Sequence, residues 1–248
     1  MYFNDVHILI YAIFVILGGT IGQFVDYCNR CFLKEQKIFS KESFEKYKRI
    51  VLPNYWLISI IAIGYVVLLY KFGIKNTFSE NLDLIKYVML LPMLACAFVV
   101  DLKEQIIPNR LNLLMFEIGL VIIFLHGFTN INIAINMLLG MFAGGGIFLV
   151  ITLLGGLIAG KEAMGMGDVK LMGALGLYFG LQNIVVISVL AFLIGAIISV
   201  IYMLIKKKNT DTYIPFGPFI VISSIITIFV PFSILFNILM EFFTLGMY

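Results

Sequence analysis

The chain has 248 residues, of which 62% are hydrophobic and 12% charged, with a mean hydropathy of +1.06 and a formal net charge of +3. A soluble domain carries about 25% charged residues, so the composition excludes an ordinary water-soluble globule. The basic residues stand between apolar runs instead of along a stripe interleaved with aromatics, which argues against nucleic acid as a partner.

Eight hydrophobic segments follow one another, at about 6–27, 53–72, 84–101, 110–128, 131–158, 167–181, 183–205 and 215–243. A run of roughly 20 apolar residues crosses the hydrocarbon core as a helix, and period-2 alternation, the signal of a barrel, is missing from these runs. The prediction is an all-α polytopic membrane helix bundle of about eight transmembrane segments, with the lipid bilayer as its surroundings. The first run is not preceded by Lys or Arg and is read as a span, not a signal peptide. The sixth is short and rich in glycine. Pro92 and Pro231 fall inside runs and mark kinks. Gly18/Gly22, Gly140/Gly144, Gly156/Gly160 and Gly176/Gly180 have the spacing that lets helices approach closely, predicting packing within the chain. Nothing in the sequence specifies an oligomeric state.

Basic residues orient the spans. Of the 17 Lys and Arg, 14 lie in alternate connections: 28–52, 101–110, 159–170 and 206–213. These connections are expected in the cytoplasm and both termini outside. The 28–52 connection, with Arg30, Lys34, Lys37, Lys41, Lys46, Lys48 and Arg49, is weakly amphipathic and reads as a basic helix at the membrane surface.

Four carboxylates fall within or at the cytoplasmic ends of apolar runs: Asp26, Asp101, Glu117 and Asp168. Charges there are costly and are functional candidates by default. Asp101 ends the third run. Asp168 stands in Gly165-Met166-Gly167-Asp168-Val169-Lys170, just before the sixth. The count of basic residues puts both at the same membrane face. Two such carboxylates brought together share a proton, one ionised and one neutral. The ionised member activates a water and the neutral member protonates the peptide being cut. Gly165 and Gly167 allow backbone to approach a substrate. The alternatives at this point are an intramembrane ion pair, an N-cap at Asp168, or a transport site that uses the carboxylates for ion coupling. Lys170, two residues on, is a candidate to tune the field at Asp168, but at that spacing it need not face it, and a cytosol-facing lysine is the preferred explanation. Glu117, in the fourth run, is a candidate to bond the site or a substrate group, against a paired or protonated residue of the bundle.

Gly165–Leu171 resembles the GxGD signature of the type IV prepilin peptidases, a family of membrane aspartic proteases. The stretch Asp101-Leu102-Lys103, followed by Ile107-Pro108-Asn109, resembles the segment that carries the family's first catalytic aspartate. Ile214-Pro215-Phe216-Gly217-Pro218-Phe219 resembles a third motif of the family, in the right order. The resemblance implies that Asp101 and Asp168 are catalytic, with Lys103, Pro108, Asn109, Lys170, Pro215, Gly217 and Glu117 as supporting candidates. It implies a six-segment peptidase domain over 83–248 behind an N-terminal region, 1–82. It further implies cleavage of short basic leaders from prepilins or pseudopilins on the cytoplasmic side, after a Gly, with no cofactor for proteolysis.

Many bacterial members also methylate the new N-terminus with S-adenosylmethionine. Here Gly18-Gly19-Thr20-Ile21-Gly22-Gln23-Phe24-Val25-Asp26 resembles a degraded form of that family's first-span motif, and the methyltransferase activity stays open. The loop holds one pair, Cys28-Asn29-Arg30-Cys31, where many members have two, and it contains no His. Structural zinc asks for a full tetrahedral ligand set, so zinc is not expected. Cys96 reads as a packing residue.

Overall fold

The computed structural model describes residues 2–3, 6–34, 38, 40–48, 53–159, 164–206 and 214–244. Lys37, Arg49, Lys161, Lys207 and Lys208, on which part of the orientation rests, lie outside the described residues, as does Gly160. The chain divides into two compact units, Met1–Glu104 and Gln105–Tyr248.

In the first unit a short antiparallel pair, β1 (Tyr2–Phe3) and β2 (Val6–His7), leads into α1 (Ile8–Leu33). A short helix α2 (Lys41–Lys48) falls in the basic connection, followed by α3 (Tyr55–Phe72) and α4 (Phe78–Glu104). Helices α1 and α3 touch backbone to backbone. A Cβ on Gly18 would lie 2.6 Å from Ala62 Cα, and one on Gly22 2.8 Å from Ile58 Cα. The small residues read from the sequence therefore pack within the chain. Tyr65 of α3 donates its hydroxyl to the Val88 carbonyl of α4 at 2.8 Å. Helix α4 thus packs with α1 and α3, and these contacts hold it in the first compact unit, whereas the sequence division at 82–83 sets it with the peptidase part.

The second unit holds α5 (Asn109–Thr129), α6 (Ile131–Ala159), α7 (Met166–Lys206), α8 (Gly217–Phe229) and α9 (Phe232–Thr244). Helix α7 is continuous only by its hydrogen bonds. Gly180 breaks it with φ 71° and ψ 178°, a conformation open to glycine. The contacts with α6 show what the break does. Gly140 and Gly144 of α6 face Gly176 and Met172 of the first half, so numbers rise on one helix as they fall on the other. The same Gly140 and Gly144 face Gly180 and Ile184, and Phe148 faces Phe192. There the numbers rise together. One half runs antiparallel to α6 and the other parallel, so α7 is a helical hairpin. Its halves are the segments expected at 167–181 and 183–205.

The expected segment 215–243 is not one helix. Val230 is extended at φ −102° and ψ 129°, and Pro231 follows it. The residue before a proline is pushed out of the helical region, and the proline has no N–H to continue the ladder. Helices α8 and α9 are the result, and Leu235 and Leu239 of α9 pack against Val186 of α7.

Among the described residues, six helices are long and apolar enough to cross a membrane. Large apolar side chains cover their outer faces, with Trp56 of α3 and Leu157 of α6 each 82% exposed. Apolar surface in this quantity needs a hydrocarbon solvent. This is a multi-pass, all-α membrane protein.

The glycine contacts make a prediction. A Cβ on Gly176 would run into the Gly140 carbonyl, backbone that cannot move aside, while one on Gly146 would meet nothing within 4 Å. Gly176→Ala is expected to destabilise the bundle by about 1–3 kcal/mol, and Gly146→Ala to leave it unchanged or slightly more stable. Unfolding of the two variants in mixed detergent micelles measures the difference.

Candidate active site

The two candidate aspartates each stand at a helix end, one in each unit. Asp101 lies in the last turns of α4, which ends where Gln105 enters the left-handed region at φ 56°. A non-glycine residue there carries local strain. Asp101 is buried, at 4% exposure, while Lys103, in the same last turn, is exposed.

In the second unit the Ile107-Pro108-Asn109 stretch starts α5. Pro108 is the N-cap residue, with φ −60°, and its carbonyl accepts from the N–H groups of Leu111 (3.0 Å) and Asn112 (3.2 Å). Proline is suited to this place because its fixed φ leads into the helix and its missing N–H has no partner to lose. Ile107 is buried beside Gly167, where an added Cβ would meet its Cβ at 3.4 Å.

Asp168 sits in the first turn of α7 and is 5% exposed. Its N–H donates to the Gly165 carbonyl at 3.0 Å, which closes the turn that the glycines allow. Two side chains of α5 hold this turn. Asn112 Nδ2 donates to the Gly167 carbonyl at 3.1 Å, and Asn109 Oδ1 accepts from Lys170 Nζ at 2.8 Å. Further along, the Tyr178 hydroxyl donates to the Met115 carbonyl at 2.8 Å, a third tie between the same helices. Lys170 is exposed and bonded to Asn109.

A cleft of about 460 Å³ opens among α5, α6 and α7, with Asn109, Asn112 and Lys170 at one end and Phe116, Met141 and Gly173 along its apolar walls. At about 100° per residue, the cleft face of α7 is roughly opposite Asp168. The cleft is therefore separate from the carboxylate. Glu117 is exposed on α5 and does not line it.

Phe216, between Pro215 and Gly217, caps α8 and packs in an aromatic cluster. Its ring centroid lies 5.0 Å from Phe192, 5.9 Å from Phe148 and 5.8 Å from Phe219. This cluster fastens the segment to α6 and α7.

The fourth candidate carboxylate, Asp26, belongs to a structural cluster of the first unit. Its Oδ2 accepts from Arg30 Nε (3.0 Å), the Tyr47 hydroxyl (3.2 Å) and the Asn54 backbone N–H (3.4 Å). Arg30 also stacks over the Tyr47 ring at 5.9 Å. These bonds fasten α2 and the start of α3 to the end of α1. Among the described residues, no cluster of three or more His, Cys, Asp or Glu side chains is placed to hold a metal ion. Cys28 and Cys31 supply only part of a tetrahedral set.

Residues 88–200 match the model of the type IV leader peptidase family. Over this stretch the chain is similar to that family. The matched part takes in Asp101, Lys103, Pro108, Asn109, Asn112, Glu117, Asp168 and Lys170. Among similar proteins is a "Prepilin leader peptidase/N-methyltransferase" of Legionella pneumophila, 32% identical over 152 residues, covering 61% of this chain and 52% of that protein. Proteins of the same name from Aeromonas hydrophila (28% over 151 residues, 61% and 51%) and Xanthomonas campestris (33% over 142 residues, 55% and 48%) are similar to it as well. The chain spans about half the length of the curated relatives it matches. No solved structure matches.

Asn112 was missed on sequence grounds, although a polar residue one turn into an apolar run, on the same face as Asn109, is a signal that marks it.

The Asp26 cluster carries its own prediction. Burial, then the neighbouring Asp26 carboxylate, pushes the Tyr47 phenol up from 10.0 to about 12, against a smaller opposite effect of Arg30. A raised folded value means that the contribution to stability is fully present below the unfolded value and lost as pH climbs through the folded one. The wild type should therefore lose stability relative to Tyr47→Phe between about pH 10 and about pH 12. Parallel thermal unfolding of the two proteins across that range is the check. Equal slopes would exclude the tie.

Proposed function

We propose that this chain is a membrane-embedded aspartic endopeptidase that removes leader peptides from type IV prepilins or pseudopilins. In this proposal it acts at the cytoplasmic side of the cell membrane, with both termini outside. The observation that carries the proposal is that the leader-peptidase segment contains two aspartates, Asp101 and Asp168, each at a helix end and each more than nine-tenths buried. Such burial is costly for a carboxylate and rewards protonation or sharing of a proton.

As an acid–base pair the two residues divide the work. The ionised carboxylate takes a proton from a water, whose oxygen attacks the scissile carbonyl carbon. The protonated carboxylate gives its proton to the carbonyl oxygen. When the intermediate collapses, a proton passes to the departing amine, and the C–N bond breaks. No side-chain nucleophile takes part. The Gly165–Gly167 turn and the Pro215–Gly217 segment are proposed to leave room for an extended substrate backbone. Transport coupled to the carboxylates gains no support from the family match. The relatives' names add an N-methyltransferase. That second activity, with S-adenosylmethionine as methyl donor, is part of the proposal that the same experiment reads.

Asp101→Asn and Asp168→Asn are each expected to lower leader cleavage by about a thousandfold or more, while the helical content of the purified proteins stays at the wild-type level. Mass spectrometry of a co-expressed prepilin reports the cleaved fraction and any added methyl group together. Full cleavage by either variant would remove that aspartate from the mechanism.

A further inference from the structure

We infer that Asn112 is a positioning residue for Asp168, acting through the carbonyl of Gly167. The inference rests on the proposed role of Asp168 and adds a residue outside the three motifs read from the sequence.

The motif itself creates the need. Gly165 and Gly167 give the turn before Asp168 the shape it needs, but a glycine also has the widest range of backbone angles. Rotation about Gly167 is the softest motion available to the chain there, and it swings the Cα–Cβ bond of the next residue. The carbonyl of Gly167 and the N–H of Asp168 belong to one rigid peptide plane. Fixing that plane at both edges fixes the direction in which the Asp168 side chain leaves the backbone.

Both edges are fixed. On one side the Asp168 N–H donates to the Gly165 carbonyl at 3.0 Å. On the other, Asn112 Nδ2 donates to the Gly167 carbonyl at 3.1 Å, across 55 residues of sequence. The donor is firmly held. Asn112 is 4% exposed, and its own N–H is bonded to the Pro108 carbonyl at 3.2 Å in the first turn of α5. The Pro108 start of α5 thereby sets the height at which Asn112 meets α7. One turn away, the bond of Lys170 to Asn109 secures the same pair of helix ends at a second point.

A further observation sets Asn112 apart from an ordinary packing residue. Among the described residues, its Oδ1 is buried without a hydrogen-bond partner. A leucine of similar volume avoids that cost, since a buried acceptor left unsatisfied is unfavourable. The amide is thus a poor choice for stability alone, and its Nδ2 bond to Gly167 is what it supplies. This predicts that removing the amide harms catalysis more than it harms the fold.

The test uses the purified full chain in detergent and a synthetic prepilin peptide with a basic leader, a Gly at the cut and an apolar stretch after it. Asn112→Leu keeps the volume and Asn112→Ala removes it. Both are expected to lower kcat by about tenfold to a hundredfold, the scale on which a displaced catalytic group loses rate, with KM within about threefold of wild type. The unfolding midpoint of Asn112→Leu should stay at or above the wild-type value. Asn112→Gln, which keeps a donor, should recover most of the lost kcat. An unchanged kcat in both Asn112→Leu and Asn112→Ala, beside an inactive Asp168→Asn, would overturn the inference and leave the proposed function standing. A kcat loss that Asn112→Gln shares in full, or one that tracks a fall in the unfolding midpoint, would also overturn it. Full activity of Asp168→Asn would overturn both.

Discussion

A carboxylate withdrawn from water is costly unless it is bonded, paired or protonated. In a chain with so few charged residues, that constraint sorts them. Asp26 meets it with Arg30, Tyr47 and the start of α3, and the result is a joint that closes the basic connection onto α1. Lys86, buried near the start of α4, meets it with Asp83 at 2.6 Å and the face of Tyr87. Asp101 and Asp168 stand at helix ends inside the leader-peptidase segment. For these two the proposed function gives burial a use, since acid–base work at a peptide bond asks for a carboxylate pair that shares a proton.

The second unit shows how a bundle without a hydrophobic driving force between its helices keeps one of these groups in place. In lipid, close packing and hydrogen bonds do the work that water exclusion does elsewhere. Glycines let α6 lie against both halves of α7, and Gly180 turns α7 back on itself. Hydrogen bonds from Asn112 and Tyr178, and the Lys170–Asn109 pair, then join α7 to α5. Two of these three ties fall at the glycine turn of Asp168.

Much of this was legible in the sequence. Long apolar runs have one solution in a bilayer, so the helices follow from composition. Even the hairpin of α7 was visible as two segments either side of Gly180. The aspartates stood out because charges are rare in such runs. Other features needed distance information that a single sequence does not hold. Asp26 looked as much like a functional group as Asp101 until Tyr47 and Asn54 were found on its carboxylate. Asn112 entered no motif, and its partner is a backbone carbonyl that no side-chain pattern reveals. The division between helices that pack together also escaped the motifs, since α4 carries the Asp101 motif yet packs with α1 and α3. The break at Val230 was written in Pro231, and its hydrophobic neighbours concealed it by continuing the apolar run.

The central claim is that Asp101 and Asp168 act as one pair. The most direct measurement is thiol cross-linking in the double variant Asp101→Cys, Asp168→Cys, made in a chain whose native Cys28, Cys31 and Cys96 are replaced by serine. A short bifunctional thiol reagent is applied in membranes, and the digested protein is read by mass spectrometry. The pair predicts one internally bridged species joining the two positions, suppressed when a prepilin peptide is present. Recovery of both thiols labelled singly, with no bridged species under the same conditions, would contradict it.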